Sequence, residues 1–304
     1  MKPGTPEFKN LVNSLTSMKL NLPPLPQKLD VGHISKIETL PKDVLFTLAL
    51  ELDLPSLMNW CQTNAKINDK VCNNSDIWQR KLLNDYPDYK KFNLQKPLKE
   101  IYKFLYQLSA LKNALRTKES LYDIYLKKEL RFPFEGLEKV HLPTINLPNL
   151  EVLDGNQSKL EKVPELIVPN LRILSLPYNN LEEVPPFDLP KLTKLELYGN
   201  NLTSVPSFNL PNLEELALGI NKLTNVPIFN LPKLKRLSIY ENFLTEIPAF
   251  DFPSLEFLSL YRNQLTSIPN LNLPKLRTLH LKDNNLSKEE KTKLKQKYKS
   301  KIVL

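Results

Sequence analysis

The chain has few of the residues from which catalytic and metal sites are built. It contains only six glycines and three histidines among 304 residues, and no Gly-rich phosphate loop occurs in the sequence. His33, His141 and His280 are far apart, and Cys61 and Cys72 lack the spacing of metal ligands. Neither cysteine has a neighbouring His or acid that would activate its thiol. The sequence therefore predicts a protein that is not an enzyme and that binds no cofactor and no metal.

The scarcity of cysteine and of long apolar runs also bears on the cellular setting. Two cysteines are too few for a disulfide framework and favour a reducing compartment, so we expect Cys61 and Cys72 to be packed as free thiols in a helical domain. No apolar run approaches the roughly 18 residues of a membrane span, and the N-terminal residues lack an apolar signal core. We expect an intracellular, cytoplasmic protein with no membrane contact.

The net charge of +9 belongs to the two ends of the chain and not to its middle. Residues 1–136 hold 21 Lys and Arg against 15 Asp and Glu, residues 137–286 hold 14 against 16, and residues 287–304 hold 7 against 2. Nucleic-acid binding requires clustered positive charge that displaces counterions from phosphates. The dense cluster is the lysine-rich tail, which we interpret as a solvated cap, so we expect no nucleic-acid partner.

A pattern of 21 residues is repeated seven times in the second half of the chain. A proline opens each copy, at Pro148, Pro169, Pro190, Pro211, Pro232, Pro253 and Pro274. In most copies leucines follow at fixed distances from the proline, and an asparagine follows them. The first copy departs from this, with Gly155 in a leucine column and Ser158 in the asparagine column. The pattern, L-x-x-L-x-L-x-x-N-x-L, resembles the leucine-rich repeat over about half of the chain.

Each column of the repeat has a predicted role. Alternating leucines point to one side of a short strand, and stacked copies bury them in a shared core. The asparagines are expected to pair with the backbone of neighbouring turns, because an amide both donates and accepts hydrogen bonds. A second proline in each copy leaves little room for a helix, so we expect an extended outer leg. The side chains expected in the core beneath that leg are Phe187, Phe208, Phe229 and Phe250.

Both ends of the array are expected to be closed. Upstream, a segment that mimics one strand of the pattern is expected to start the sheet at Leu137, Val140 and Leu142. Downstream, a capping-box signature is formed by Ser287 and Glu290. A basic helix over residues 287–304 is expected to cover the last repeat with apolar positions at Leu294, Tyr298 and Ile302.

The N-terminal part of the chain follows a different pattern. Residues 1–36 are polar and are expected to be poorly ordered. Residues 37–84 have apolar positions at helical spacing, and proline in Leu54-Pro55 fits the first turn of a second helix. This segment resembles an F-box, most closely the F-box-like domains encoded by large DNA viruses. The residues that carry the resemblance are Leu40, Pro41, Val44, Leu45, Leu48, Leu54, Pro55, Leu57 and Trp78.

The resemblance implies a docking site for a Skp1-type linker of a cullin ubiquitin ligase. The implied contact residues are Leu40, Pro41, Leu45, Leu54, Pro55 and Leu57. Thr63 and Ile67 depart from the family pattern, which usually has valine at the first position and often a large aromatic residue at the second. Residues 85–136 have further apolar positions at helical spacing and are expected to form a helical connector.

Side chains between the core leucines point outward and differ from copy to copy. Tyrosine and arginine are frequent anchors of protein interfaces. The residues expected to hold a protein target on the concave side are Tyr178, Tyr198, Arg236, Tyr240, Phe257, Tyr261, Arg262 and His280. The alternative is that these aromatic rings merely stack along the sheet and stabilise it, and both can be true.

The sequence thus predicts an α+β protein. A helical F-box-like domain and a helical connector precede a curved solenoid at residues 137–286, with a parallel β-sheet on its concave side and an extended convex side. Two functions stay open. The first is a substrate-recognition adaptor that binds a Skp1-type linker and a protein target. The second is a repeat scaffold or decoy with no role in ubiquitin transfer, which Thr63 and Ile67 favour. For either we expect a monomer outside its complex.

Overall fold

The computed structural model describes residues 42–63, 65–132 and 142–304. The chain divides into two compact units, residues 1–107 and residues 108–304, and the boundary falls inside one helix of the segment predicted to be the connector. Several residues with a predicted role lie outside the described part of the chain: the N-terminal segment 1–36, Leu40, Pro41, Leu137, Val140 and His141.

The first unit is helical, as the apolar spacing predicts. Its elements are α1 Lys42–Glu51, α2 Leu54–Thr63, α3 Ala65–Ile67, a π-helical stretch Asn68–Cys72, α4 Ser75–Asp85, a 3-10 turn Tyr89–Phe92 and α5 Leu98–Ala114, which continues into the second unit. Side-chain caps start two of the helices. Asp53 accepts a hydrogen bond from the Ser56 N–H at 3.0 Å, and Asn74 accepts one from the Asp76 N–H at 2.9 Å.

One apolar face of each main helix forms the core of this unit. Among the described residues of this unit, the side chains with no exposed surface are Leu45, Leu48, Ala49, Leu57, Ile67, Val71, Ile77, Leu82 and Leu105. Trp78 is also buried, and its indole N–H donates to the carbonyl of Cys72 at 2.8 Å. Because this polar atom has a partner, the large ring is buried without an unsatisfied donor.

A buried lysine lies beside this core. The Lys81 Nζ donates to the carbonyl oxygens of Leu50, at 3.1 Å, and Leu52, at 2.6 Å, and forms an ion pair with Asp85 at 3.3 Å. Leu50 and Leu52 lie at the C-terminal end of α1, where helix carbonyls lack donors from their own helix. Burial lowers the pKa of Lys81 from its ordinary value, although Asp85 acts in the opposite direction. The lysine therefore caps α1 from another helix.

Cys61 in α2 and Cys72 are joined in a disulfide, with Cα atoms 6.1 Å apart. Both side chains are buried. The prediction that the two cysteines stay free is therefore wrong, although their placement inside the helical domain is confirmed. The pairing depends on the chain reversing after α2, so that the π-helical stretch packs back against that helix. Spacing along the sequence does not reveal such a reversal.

The second unit is a parallel β-solenoid of about eight turns. It contains α6 Leu121–Leu126 before its first strand, and α7 Lys288–Tyr298 and the 3-10 turn Lys299–Lys301 after the last repeat. Its strands are β1 Glu129–Arg131, β2 Ile145–Asn146, β3 Val152–Asp154, β4 Leu166–Ile167, β5 Ile173–Ser175, β6 Lys194–Glu196, β7 Glu215–Ala217, β8 Arg236–Ser238, β9 Phe257–Ser259, β10 Thr278–His280 and β11 Ile302–Val303.

The main sheet has nine parallel strands in the order β1-β3-β5-β6-β7-β8-β9-β10-β11, and β2 pairs with β4 separately. Within the main sheet each strand from β3 to β9 pairs with the strand one repeat later, so that Lys194 lies opposite Glu215 and Glu215 opposite Arg236. The repeat length therefore sets the register, and equivalent positions of successive copies lie side by side across the sheet.

The core of the solenoid consists of the leucine columns that the repeat pattern predicts to be buried. Leu192, Leu195 and Leu197 of one copy have no exposed surface, and their equivalents in the other copies are likewise buried. On the outer leg, the Phe208 ring stacks between Phe187 and Phe229 with ring centres 6.0 and 5.9 Å apart. Phe187 is half-buried, whereas Phe208, Phe229 and Phe250 are buried. The outer legs carry no helix between β3 and β10, as the paired prolines predict.

The asparagine column forms the predicted ladder between turns. The Asn221 amide nitrogen donates to the carbonyl of Leu197 in the preceding copy at 3.0 Å, and to Leu218 and Gly219 in its own copy at 3.1 Å each. The Asn221 amide oxygen accepts from the Leu202 N–H at 3.0 Å. Each buried asparagine thus supplies partners to backbone groups that the turn would otherwise leave unpaired.

The residue before each ladder position adopts a left-handed conformation, which the repeat pattern does not predict. Its φ is positive in seven copies, at Gln157, Tyr178, Gly199, Ile220, Glu241, Arg262 and Asp283. One of the seven is glycine, so the other six carry the steric cost of a Cβ atom in this region. The turn changes the direction of the chain after the strand. The alternation of side chains between the two faces of the sheet therefore does not apply to Tyr178 and Arg262, which lie in this turn.

Both ends of the sheet differ from the prediction. The sheet starts at β1, which lies in the segment predicted to be a helical connector and pairs with β3. In β1 the Leu130 side chain is buried, and its neighbours Glu129 and Arg131 are exposed. Leu142 lies in no strand. At the other end α7 begins after Ser287 and buries Leu294 and Tyr298 as predicted, but it ends at Tyr298. Ile302 lies in β11 opposite Leu279 and not on the helix.

Candidate protein-binding surface

Each three-residue strand of the array buries its central side chain and turns its flanking side chains to the opposite side of the sheet. In β6 the central Leu195 is fully buried, whereas Lys194 and Glu196 are half-exposed. We call the side that carries the flanking residues the strand face. The position two residues after each strand, such as Tyr198 or Tyr240, has the same parity and continues this face.

Tyr178, Tyr198 and Tyr240 form a tyrosine cluster on the strand face. The rings of Tyr178 and Tyr198 meet edge to face, with centres 5.2 Å apart. The Tyr178 ring lies over Gly199 and the Tyr240 ring lies over Gly219, because a Cβ atom at either glycine would overlap the ring. The two glycines therefore provide the space into which the rings fold.

The tyrosine cluster is accessible and only partly buried. Tyr178 is 48% exposed, and Tyr198 and Tyr240 are half-buried. Burial raises the pKa of Tyr198 and of Tyr240 above the ordinary value for tyrosine, and the nearby Tyr178 acts in the same direction. Both hydroxyls therefore stay protonated at neutral pH. The cluster offers apolar ring surface together with hydroxyl groups that can donate hydrogen bonds.

Arg236, Phe257 and His280 form an arginine–aromatic cluster across β8, β9 and β10. The Arg236 guanidinium carbon lies 4.5 Å from the centre of the Phe257 ring, and the rings of Phe257 and His280 meet edge to face with centres 5.5 Å apart. A guanidinium that stacks on an aromatic ring keeps its N–H groups directed outward. Arg236 is exposed, so these donors are available on the strand face.

Tyr261 and Arg262 form a third group, which is largely engaged with itself. The Arg262 guanidinium carbon lies 5.0 Å from the centre of the Tyr261 ring. Its nitrogens also lie 3.1 Å from a carboxylate oxygen of Glu241 and 3.7 Å from one of Asp283. All eight residues predicted to bind a target thus lie on or beside the strand face, in three stacked groups. Ring stacking is a feature of this structure, and target binding stays a prediction.

The sequence analysis did not identify the two glycines over which the tyrosine rings lie. Gly199 and Gly219 are two of only six glycines in the chain, and Gly219 stands in the same column as Tyr198 and Tyr240. A glycine in a column of large side chains was the available signal. The reasoning also missed Lys194 and Glu196, which flank a core leucine and form an ion pair at 2.8 Å.

Four of the residues implied to contact a Skp1-type linker lie in the described part of the chain, and three of these four are buried. Leu45 and Leu57 have no exposed surface and Leu54 is 8% exposed, so these side chains serve the core of the helical unit and offer little to a partner. Pro55 is exposed at the start of α2. The F-box resemblance implies a linker contact for these three leucines, but a resemblance in sequence does not show whether the protein's own core covers a side chain.

The repeat region also matches a known family. Residues 169–210, 190–230 and 253–294 match a family model described as "Leucine Rich repeats (2 copies)". These matches coincide with the buried leucine columns and the asparagine ladder. The array is a parallel β-solenoid of the kind typical of leucine-rich repeats. No curated protein matches the chain.

Several solved structures are similar to this chain. A Shigella effector LRR domain is 28% identical, covering 71% of this chain and 92% of that one, with a TM-score of 0.46. InlP from Listeria monocytogenes is 23% identical over 58% of this chain and 63% of that one, with a TM-score of 0.42. YopM from Yersinia enterocolitica is 29% identical over 46% and 34%, with a TM-score of 0.35.

The similarity to these structures is limited. This chain spans less than two thirds of the lengths of InlP and YopM, and all three TM-scores are low. The likeness therefore carries no argument about the partner of the leucine-rich-repeat array. Within residues 42–63, 65–132 and 142–304, no helix has both the length and the apolar character of a membrane span. The same part of the chain holds no group of three or more His, Cys, Asp or Glu suited to a metal ion.

Proposed function

We propose that this chain is a protein-binding adaptor whose strand face holds a protein target. The observation that carries the proposal is the accessible tyrosine cluster of Tyr178, Tyr198 and Tyr240. Interfaces are enriched in tyrosine and arginine, and their energetic centres combine apolar ring surface with hydrogen-bonding groups. The Tyr178 and Tyr198 rings contact each other and the Tyr240 ring lies on Gly219, so these side chains lose little freedom when a partner covers them.

The finer proposal is that the helical unit docks on a Skp1-type linker, so that the bound target is presented to a cullin ubiquitin ligase in the cytoplasm. Its support is the F-box resemblance together with helices at the positions that the resemblance implies. Among the described residues of the implied contact, Pro55 is the exposed one. The docking surface would therefore be centred on Pro55 at the start of α2.

A second candidate is a leucine-rich-repeat scaffold or decoy that binds its target without any role in ubiquitin transfer. Two observations favour it. Leu45 and Leu57 have no exposed surface for a linker, and the Cys61–Cys72 disulfide is a feature of oxidising compartments more often than of the cytosol. This candidate uses the same tyrosine cluster and differs only in the helical unit.

Affinity capture of the tagged full chain from cells, followed by mass spectrometry, separates the two candidates. For the adaptor, a Skp1-type linker and a cullin should be recovered with the wild type and lost with Pro55→Glu. Asn59→Glu is the matched control, because it places the same charge at another exposed position of α2 and should retain both proteins. If a folded wild type recovers no linker, the adaptor role is wrong and the scaffold stands.

The target-binding proposal has its own test. Proteins captured by the wild type should be depleted with a Tyr198→Ala, Tyr240→Ala double variant that remains folded by circular dichroism. The matched control is Asn225→Ala, an exposed position of the outer leg, which should leave capture unchanged. Equal capture by the tyrosine variant and the wild type would show that the strand face is not the binding surface.

A further inference from the structure

Charges of opposite sign are separated along the strand face. At the flanking and following positions of β3 to β7 the charged residues are Asp154, Lys194, Glu196 and Glu215. At the equivalent positions of β8 to β10 they are Arg236 and Lys282, with His280 between them, and no carboxylate occurs. The first half of the face therefore has a net negative charge and the second half a net positive charge.

The carboxylates beside the positive half are paired with cations other than Arg236 and Lys282. Glu256 pairs with Arg277 at 3.3 Å, and Glu241 and Asp283 pair with Arg262. Arg236 and Lys282 differ from these paired cations, since neither forms an ion pair with any residue that the structure describes. Both side chains are exposed.

Arg236 has a carboxylate directly opposite and still does not pair with it. Glu215 faces Arg236 across β7 and β8, but its carboxylate lies toward Lys194, at 3.9 Å. The Arg236 guanidinium instead stacks on Phe257. A stacked guanidinium has one face covered and its N–H edge free, and this is the geometry that a carboxylate approaches with two parallel hydrogen bonds.

We propose that the arginine–aromatic cluster, together with Lys282, receives an acidic segment of the protein target. This inference rests on the proposed target-binding function and adds the chemistry of the bound segment. Its carboxylates pair with Arg236 and Lys282, and the apolar residues that adjoin them lie on the tyrosine cluster. Asp154, Glu196 and Glu215 repel an acidic segment from the other half, so the charge pattern fixes its position along the sheet.

Nucleic acid fits this surface less well than an acidic peptide does. The two exposed unpaired cations suit one or two carboxylates, whereas a phosphate backbone carries charge at every nucleotide. Such a backbone would also extend over the acidic half, where Asp154, Glu196 and Glu215 lie. An acidic peptide can place charge over the cluster alone and neutral residues elsewhere.

Fluorescence anisotropy of the full chain with three labelled probes tests the proposal. The first probe is a peptide that joins a block of Asp and Glu to a block of Leu and Tyr, and the second has Lys in place of every Asp and Glu. The third is a single-stranded RNA oligonucleotide. The wild type should bind the acidic peptide on the order of tenfold more tightly than the basic one at low salt, and added salt should weaken this binding.

Charge-reversal variants locate the site. Arg236→Glu should weaken binding of the acidic peptide on the order of tenfold. Arg277→Glu is the matched control, since it makes the same charge change at an arginine already paired with Glu256, and it should change binding about twofold or less. Equal losses in both variants, or a preference for the basic peptide, would overturn the proposal. RNA binding that Arg236→Glu also abolishes would overturn it too, by showing a general polyanion site.

The inference and the proposed function can fail separately. One outcome is that Tyr240→Ala depletes the captured target while Arg236→Glu leaves both target capture and peptide binding unchanged. In that case the strand face binds protein, but the proposal that it receives an acidic segment is wrong. If neither variant affects target capture, the function assigned to the strand face is wrong as well.

Discussion

The Tyr240 ring lies directly over Gly219, the residue that occupies the same position one repeat earlier. A Cβ atom at Gly219 would overlap that ring. Tyr240 thereby extends across the gap toward Tyr198 on the far side of the glycine, and the two tyrosines become parts of one surface. A residue without a side chain thus controls the shape of the candidate site.

Gly219→Ala should therefore displace Tyr240 without unfolding the array. Gly219 does not have a positive φ, so alanine adds little backbone strain, and the ring is half-exposed and free to move outward. We expect a change in the near-ultraviolet circular dichroism of tyrosine, and a loss of stability below about 1 kcal/mol in urea unfolding. Target capture should fall as it does for Tyr240→Ala.

Gly199→Ala is the informative comparison for this prediction. Gly199 also lies beneath a tyrosine ring, but its φ is +69°, so alanine adds backbone strain of about 1 kcal/mol to the steric overlap. It should be less stable than Gly219→Ala. If Gly219→Ala leaves both the tyrosine signal and target capture unchanged, Tyr240 does not rest on Gly219.

Asn221→Ala should destabilise the solenoid by about 1–3 kcal/mol, because it removes buried hydrogen bonds to Leu197, Leu218, Gly219 and Leu202. Urea unfolding of the full chain measures the loss. Asn225→Ala is the control in the same copy, since Asn225 is exposed and, within the described part of the chain, its side chain bonds only to the neighbouring Thr224 hydroxyl at 3.5 Å. Similar small losses at both positions would contradict the ladder.

The solenoid could be predicted because the same residue types recur at equivalent positions in seven consecutive copies. Burial of Leu195 and its equivalents, the asparagine ladder and the extended outer legs all follow from that periodicity. Strands β1 and β11 were missed because each occurs once, is two or three residues long and lacks the repeat pattern. The sheet itself extends pairing to these segments, and no local sequence signal marks them.

The sequence predicts which side chains share the strand face, but it does not predict how those side chains contact one another. Strand alternation places Tyr198, Tyr240 and Arg236 on one face. It does not predict that the Tyr240 ring lies over Gly219 or that the Arg236 guanidinium stacks on Phe257 and forms no ion pair with Glu215. Each side chain has several neighbours on the sheet, and the contact that it makes depends on how the neighbouring side chains pack. The left-handed turn at Tyr178 was hidden for a related reason. The geometry there is imposed by the turn, and six different residue types accept it without a shared sequence signal.

Leu237→Ala and Arg236→Ala, one residue apart in β8, should have opposite effects. Leu237 has no exposed surface, so its truncation leaves a cavity and should cost about 2–5 kcal/mol in urea unfolding. Arg236 is exposed and its truncation should cost less than about 1 kcal/mol, while weakening target capture. A large loss of stability with Arg236→Ala would mean that the strand face has been assigned to the wrong side of the sheet.

Lys81→Met should destabilise the helical unit by about 1–3 kcal/mol at neutral pH, because the carbonyls of Leu50 and Leu52 lose their buried donor. The effect should also depend on pH. Burial lowers the pKa of Lys81 below 10.5, so between its folded-state pKa and 10.5 the unfolded chain binds more protons than the folded chain. The contribution of Lys81 to stability therefore rises with pH through that range.

Urea unfolding followed through Trp60 and Trp78 fluorescence at a series of pH values from neutral toward 10.5 tests this prediction. The difference in unfolding free energy between wild type and Lys81→Met should increase as the pH is raised. Lys90→Met, at an exposed position of the same unit, should change stability by less than about 0.5 kcal/mol at neutral pH. A difference that shrinks with rising pH would mean that Lys81 is held mainly by its ion pair with Asp85, whose attraction raises the pKa, and not by the two carbonyls in a buried setting.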